Sequence, residues 1–187
     1  MKNILKNRLA LSTVVTTLII LVVSVLLAGV VTYFAINVTS TRVQEENLSL
    51  SKQHVWVTMD GTAAAAIMVT NTGGRDVVLS KVAVRGQASD SSDIFYAVAV
   101  TGTDDLTYDL EWDGFEIYDG DALNQTGWTT TLTALTGTLV LTSGETMVIY
   151  ANSPDSINVN DIGLTVAITV FTSQAIHYKE SNVEAIV

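Results

Sequence analysis

Carboxylates crowd one segment of this chain: Asp104, Asp105, Asp109, Glu111, Asp113, Glu116, Asp119 and Asp121. Grouped carboxylates supply the hard oxygen ligands that calcium takes. Their spacing does not fit an EF-hand loop, so the pattern reads first as a solvated acidic face, with a calcium- or salt-dependent role as the alternative. His54 and His177 are the only histidines, one near Trp56 and one beside Tyr178. Neither lies in a helical metal motif or next to a serine nucleophile elbow, so both read as strand or surface residues. No glycine pattern suited to cradling phosphate is present, and Gly73-Gly74 reads as a hairpin turn. These residues point away from catalysis, and no cofactor or metal is expected. Asn37-Val38-Thr39, Asn47-Leu48-Ser49 and Asn124-Gln125-Thr126 match the N-glycosylation sequon. Asn124 is the best acceptor of the three, because its loop setting is exposed; Asn37 and Asn47 fall on an expected helix.

The elements that carry these residues are constrained by composition. With 187 residues the chain accommodates one membrane segment and one domain with its own core. A net charge of -10 with only 9 basic residues leaves nothing from which to build a phosphate-neutralising surface, so no nucleic-acid partner is expected. There are no cysteines, hence no disulfide framework and no thiolate chemistry. Lys2, Lys6 and Arg8 precede a long apolar run, and all 19 acidic residues follow it.

That run, Leu11 to Ile36, LSTVVTTLIILVVSVLLAGVVTYFAI, contains no charged residue. As a helix rising 1.5 Å per residue it reaches roughly 39 Å, more than the ~30 Å of a bilayer core. The basic residues before it, and Glu45 and Glu46 beyond it, place the start of the chain inside and the remainder outside. The run is too long for a secretory signal peptide, and late cutting is disfavoured: Tyr33 would stand at -3 for a cut after Ala35, and Leu26 for one after Ala28. Two readings survive. One is an uncleaved signal anchor; the other is a cut in front of the run, between Ala10 and Leu11.

The order basic, small, then LSTVVTTLIILVVSVLLAGVV resembles the class III signal and N-terminal helix of archaeal type IV pilins and the related archaellins. The resemblance is specific from Lys6 to about Leu50 and architectural beyond. Ser12 is followed by Thr13 where many archaeal pilins carry Ser-Pro, and Val15 stands where bacterial pilins place a glutamate. The resemblance implies a membrane prepilin peptidase cutting at Ala10/Leu11, an assembly ATPase and platform as partners, and a helical homopolymer at the cell surface. It also implies a filament core made by Leu11, Val14, Val15, Leu18, Ile19, Ile20, Leu21, Val22, Val23, Val25, Leu26, Leu27, Val30, Val31 and Phe34. Thr13, Thr16, Thr17 and Ser24 are expected to return their hydroxyls to carbonyls a turn earlier. Gly29 reads either as a bend or close-contact point or as an ordinary small residue of a membrane helix.

Past the run, NVTSTRVQEENLSLSKQ reads as the helix continuing to Leu48 or Leu50, with strands beginning near His54. Thereafter HVWVTM, AAAAIMVTN, DVVLSKVAVRG, DIFYAVAVT, TGTLVLTS, ETMVIYA, GLTVAITVFTS and AIHYKES alternate with turn residues. In LTVAITVF, Leu164, Val166, Ile168 and Val170 share one face, and the other, still fairly apolar, meets either a neighbouring subunit or the interior. The expected fold is α+β: a long hydrophobic helix followed by an antiparallel β-sandwich of seven or eight strands. The division is a leader over 1–10, the apolar helix over 11–50 and the β-domain over 51–187. The functions to be weighed are a pilus subunit concerned with adhesion, an archaellin, or a monomeric membrane-anchored binding module.

Overall fold

A computed structural model describes residues 8–43, 45–100, 104, 106–123 and 129–186. The chain divides into two compact units, Met1–Val43 and Gln44–Val187. The fold is α+β.

The first unit is one helix, α1, Arg8–Val43. Val, Ile and Thr are mediocre helix formers in water, yet where no water competes, intrahelical bonding is the way to satisfy every backbone group. The hydroxyls hide themselves by the same means. Thr16 donates to the Ser12 carbonyl at 2.9 Å, Thr17 to that of Val14 at 2.9 Å and Ser24 to that of Ile20 at 2.7 Å. Thr41 does so with Asn37 at 2.9 Å. The helix ends at Val43, short of the expected Leu48 or Leu50, because the following residues are claimed by the second unit. Thr72 and Gly73 donate their amides to the Asn47 carbonyl at 2.9 and 3.0 Å. Thr172 donates its hydroxyl to Glu46 Oε1, and His177 Nε2 lies 3.3 Å from the same oxygen. Asn47 therefore sits in this fastened strap, not on a helix.

Among the described residues the second unit contains ten strands: β1 Leu48–Thr58, β2 Ala63–Asn71, β3 Val77–Val84, β4 Gln87–Ala88, β5 Ile94–Val98, β6 Thr133–Ala134, β7 Leu139–Leu141, β8 Thr146–Asn152, β9 Thr165–Thr172 and β10 Ile176–Ile186. They form a mixed, curled sheet in the order β4-β3-β9-β10-β1-β2-β8-β5-β6, with β7 on β3. The antiparallel sandwich is thus corrected in one respect that matters. β10 pairs antiparallel with β9 through Ile176–Asn182, then parallel with β1 through Val183–Ile186. One strand serves both halves of the sheet, which curls about it. Gly73-Gly74 is likewise not a hairpin turn: it joins β2 to β3, which are not paired with each other. A Cβ on Gly73 would come within 2.9 Å of Asn47 N and Glu45 O, so the strap requires glycine there.

The concave core takes alternate residues of the strands: Val55 and Val57, Ile67 and Val69, Val82 and Val84, Met147 and Ile149, and Val166, Ile168 and Val170. Leu164, expected to join the last set, precedes β9 and is exposed. The opposite face of β1, β2, β5 and β8 is also buried, by Trp56, Ala64, Ala66, Met68, Phe95, Val148 and Tyr150. Its cover is a loop layer rather than a second sheet, with Leu110, Ile117, Leu123 and Leu132 packed on it. The alanine run makes room for the large rings: Ala64 stands opposite Trp56 and Ala66 opposite Tyr150. Large beside small lets the layer close without voids.

Candidate functional site

Two features could carry function, one on each unit. On α1, the stretch Ser12–Thr41 is long and apolar enough to cross a membrane, and none of it is buried. From Val14 to Phe34 the residues expected to make an assembly core are 46 to 70% exposed. Apolar side chains occupy all sides of the helix, so no single face is marked for packing. Exposure of this kind is not stable in water: fully burying one Leu or Ile is worth about 1.5–3 kcal/mol. A helix of this kind is compatible with insertion into a membrane. Ala10 and Leu11 lie in the first turn of α1. Leu11's side chain lies outside the described residues. Asn37 is exposed on α1 and Asn47 is exposed in the strap, while Asn124 lies outside the described residues.

On the second unit, Asp109, Glu111, Asp113, Glu116 and Asp119 are exposed, as a solvated acidic face would be, and several of the crowded carboxylates also act as loop fasteners. Asp104 accepts from the amides of Val100 at 2.8 Å and Thr129 at 2.7 Å, and from the hydroxyls of Thr129 and Thr130. Partial burial pushes its carboxyl up, but these hydrogen bonds outweigh burial and hold it below the usual carboxylate value. Asp113 takes the Phe115 amide at 3.2 Å, Asp119 the Ala134 amide at 2.9 Å and Asp121 the Tyr118 amide at 2.7 Å. Short acidic side chains capping nearby amides are the means by which a long loop keeps a shape without strands. Asp105 lies outside the described residues. Among the described residues no three His, Asp or Glu side chains converge as metal ligands would.

His54 links this loop to the sheet. The bulge in β1 between Ser51 and His54, where Lys52 has φ 50°, turns the strand and sets His54 above Trp56. The two rings stack at 5.1 Å and 5°. His54 Nε2 is 3.1 Å from Asp109 Oδ1, and Nδ1 is 3.3 Å from Glu184 Oε1. Burial raises Asp109's carboxyl, while bonds from His54 and the Leu110 amide lower it further, so it ends below its usual value. Lys52 Nζ donates to the carbonyls of Leu106 and Tyr108. His177, by contrast, serves the strap through Glu46. Among the described residues neither histidine meets a nucleophile or a third ligand.

The loop layer encloses a half-open cleft of about 510 Å³. Leu132 and Tyr150 belong to its lining, together with Trp112, Phe115 and Tyr118. Trp56 lies behind, with ring centroids 6.3 Å from Trp112 and 6.5 Å from Tyr150. Both cleft rings are held: Trp112 Nε1 donates to the Phe115 carbonyl at 2.7 Å, and Tyr150 Oη to that of Glu111 at 2.9 Å.

No family model matches this chain, and no curated protein matches it. Among solved structures, it is similar at 13% identity and a TM-score of 0.27 to a β-glucosidase from Listeria innocua in complex with glucose. The likeness covers 76% of this chain and 16% of that one. At that level it carries neither fold nor function across. The chain has a long apolar N-terminal helix of a kind compatible with a membrane-anchored or pilin-like protein, followed by a β-rich unit.

The aromatic-lined cleft was not foreseen. Reading the segment as an acidic face passes over its rings, although the interleaving of Trp112, Phe115 and Tyr118 with Glu111, Asp113 and Glu116 is a signal in the sequence.

Proposed function

We propose that this chain is a structural subunit of an extracellular archaeal type IV-like pilus, concerned with adhesion. The precursor is held in the cytoplasmic membrane by α1, a prepilin peptidase cuts between Ala10 and Leu11, and an assembly ATPase and platform then move the subunit into a helical homopolymer. The observation that carries this reading is the long, charge-free and strongly hydropathic stretch Ser12–Thr41 with no residue buried. Such a helix exchanges lipid for its own copies at little cost, because each environment is equally dry. The β-unit, acidic and with its own core, forms the outer shell. A motility filament uses the same physics and is the alternative within the class. A monomeric membrane-anchored module is the alternative outside it, favoured by the cleft in the β-unit.

The test is the mature N-terminus, measured by mass spectrometry on protein from the native host. A chain beginning at Leu11 is expected, and one retaining Lys2 to Ala10 favours the anchored module. Replacing Ala10 with a bulky charged residue, or Arg8 with a neutral one, is expected to block processing and filament formation while the β-unit stays folded. Normal filaments built from unprocessed protein would refute the proposal.

A further inference from the structure

The cleft of the second unit is unusual in the company its rings keep. Phe115 is 73% exposed and Tyr118 60%, so the core does not account for either. Around them stand the carboxylates of Glu111, Asp113, Glu116 and Asp121, and among the described residues no Lys or Arg belongs to the lining. Three of these acids are aimed by bonds already made. Asp113 Oδ1 holds the Phe115 amide, Asp121 Oδ2 holds the Tyr118 amide, and Glu116 Oε2 accepts the Tyr118 hydroxyl at 2.7 Å. Carboxylates fixed by one oxygen keep lone pairs on the other for a donor.

We propose that this cleft binds an organic cation: an ammonium group on an apolar stem, presented by a lysine side chain or by a free amine. Aromatic faces attract a cation through the negative charge of the ring, and carboxylates accept its N–H bonds. A neutral sugar would also stack on rings and bond to acids, but it would leave four unopposed negative charges around it. An anion would be repelled. The negative field is felt within the cleft: the Glu116 hydrogen bond and charge, with Asp121 behind, push the Tyr118 phenol above its usual value. The walls are also preorganised, since Trp112 and Tyr150 are hydrogen-bonded to the loop and backed by Trp56. Little ordering is therefore left to oppose binding. This inference concerns the second unit only and does not depend on whether α1 assembles into a filament.

The experiment is isothermal titration of the full chain in uncharged detergent micelles with three probes: Nα-acetyl-lysine N-methylamide, 1,4-diaminobutane and glucose. Both amines are expected to bind and glucose to bind at least tenfold more weakly. Tighter binding of the blocked lysine identifies a protein side chain as the source, and tighter binding of the diamine a free amine. Glu116→Gln is expected to weaken amine binding about two- to fivefold, the size of one solvent-exposed charge contact. Phe115→Ser, at a ring that supports no core, is expected to weaken it further with an unchanged near-ultraviolet circular dichroism spectrum. Raising salt to 0.5 M should weaken amine binding. No heat with either amine, glucose binding as tight as amine binding, or affinities unmoved by both substitutions would overturn the proposal.

Discussion

Asp161 is buried, with only 6% exposure, and it is fully employed. Its Oδ1 accepts from Arg85 Nη1 at 2.9 Å and its Oδ2 from the Asn158 amide at 3.0 Å, closing a capping box on the turn Val159–Asp161. Asp161→Ala would strand these donors. Because Arg85 is 44% exposed and can turn to water, the expected cost is about 2 kcal/mol, less than for a fully buried pair. The melting temperature should fall by roughly 4–8 °C by circular dichroism. Asp104 and Asp109 set the acid response. Both carboxyls lie lower in the folded state than unfolded, so their contribution is present above the unfolded value and is lost as pH falls through the folded one. Melting temperature should therefore drop below about pH 4, and the drop should be smaller in Asp104→Asn, which is less stable at neutral pH. An identical acid profile for that variant would dismiss the loop-fastening role.

At the scale of elements, α1 and the sheet respond to substitution in opposite ways. Within α1, Val23→Asp or Ile20→Asp places a charge at mid-segment, and no basic residue lies between Leu11 and Ile36 to pair with it. The cost in an apolar bundle is several kcal/mol per subunit. Filaments should then be absent under the electron microscope, whatever the state of the β-unit; normal filaments would mean that α1 is not the assembly core. The helix and the eight β-branched runs were readable from their length, composition and flanking breakers: α1 is an apolar run too long for a strand, and AAAAIMVTN is β2 from end to end. The end of α1 was not, since no Gly or Pro breaks the sequence between Ile36 and Leu50 and only distant partners, Thr72, Gly73, Thr172 and His177, pull the strap away. Two-residue strands such as β4 and β6 hold too few residues to show a period. The same limit hid the cleft. Asp113, Asp119 and Asp121 look like solvated charge until their amide partners are placed, and Asp119 reaches Ala134, well along the chain.

For the whole molecule, the decisive feature is the parallel pairing of β1 with β10, in which Val55 stands beside Val183. Removing 176–187 would take Val183 from the core and leave β1 and β9 as two unpaired edges. A chain so truncated should not fold cooperatively and should aggregate through those edges. A sharp thermal transition like that of the full chain would contradict this.

That pairing also places the chain on a timetable. A ribosome, or a translocation channel delivering the protein from its first residue, releases β1 long before β10 exists to lie against it. Until then, β1 is paired on one side only, through β2 and the strands β8 and β5 that extend from it, and its other edge is open. Closing a loop of this length costs only slowly more entropy with each added residue, but it delays the contact that makes the sheet cooperative. The link between the β9 side and the β1 side of the sheet thus forms only when the last strand arrives. A sheet whose first and last strands are neighbours is completed late, by whatever route the chain leaves the ribosome.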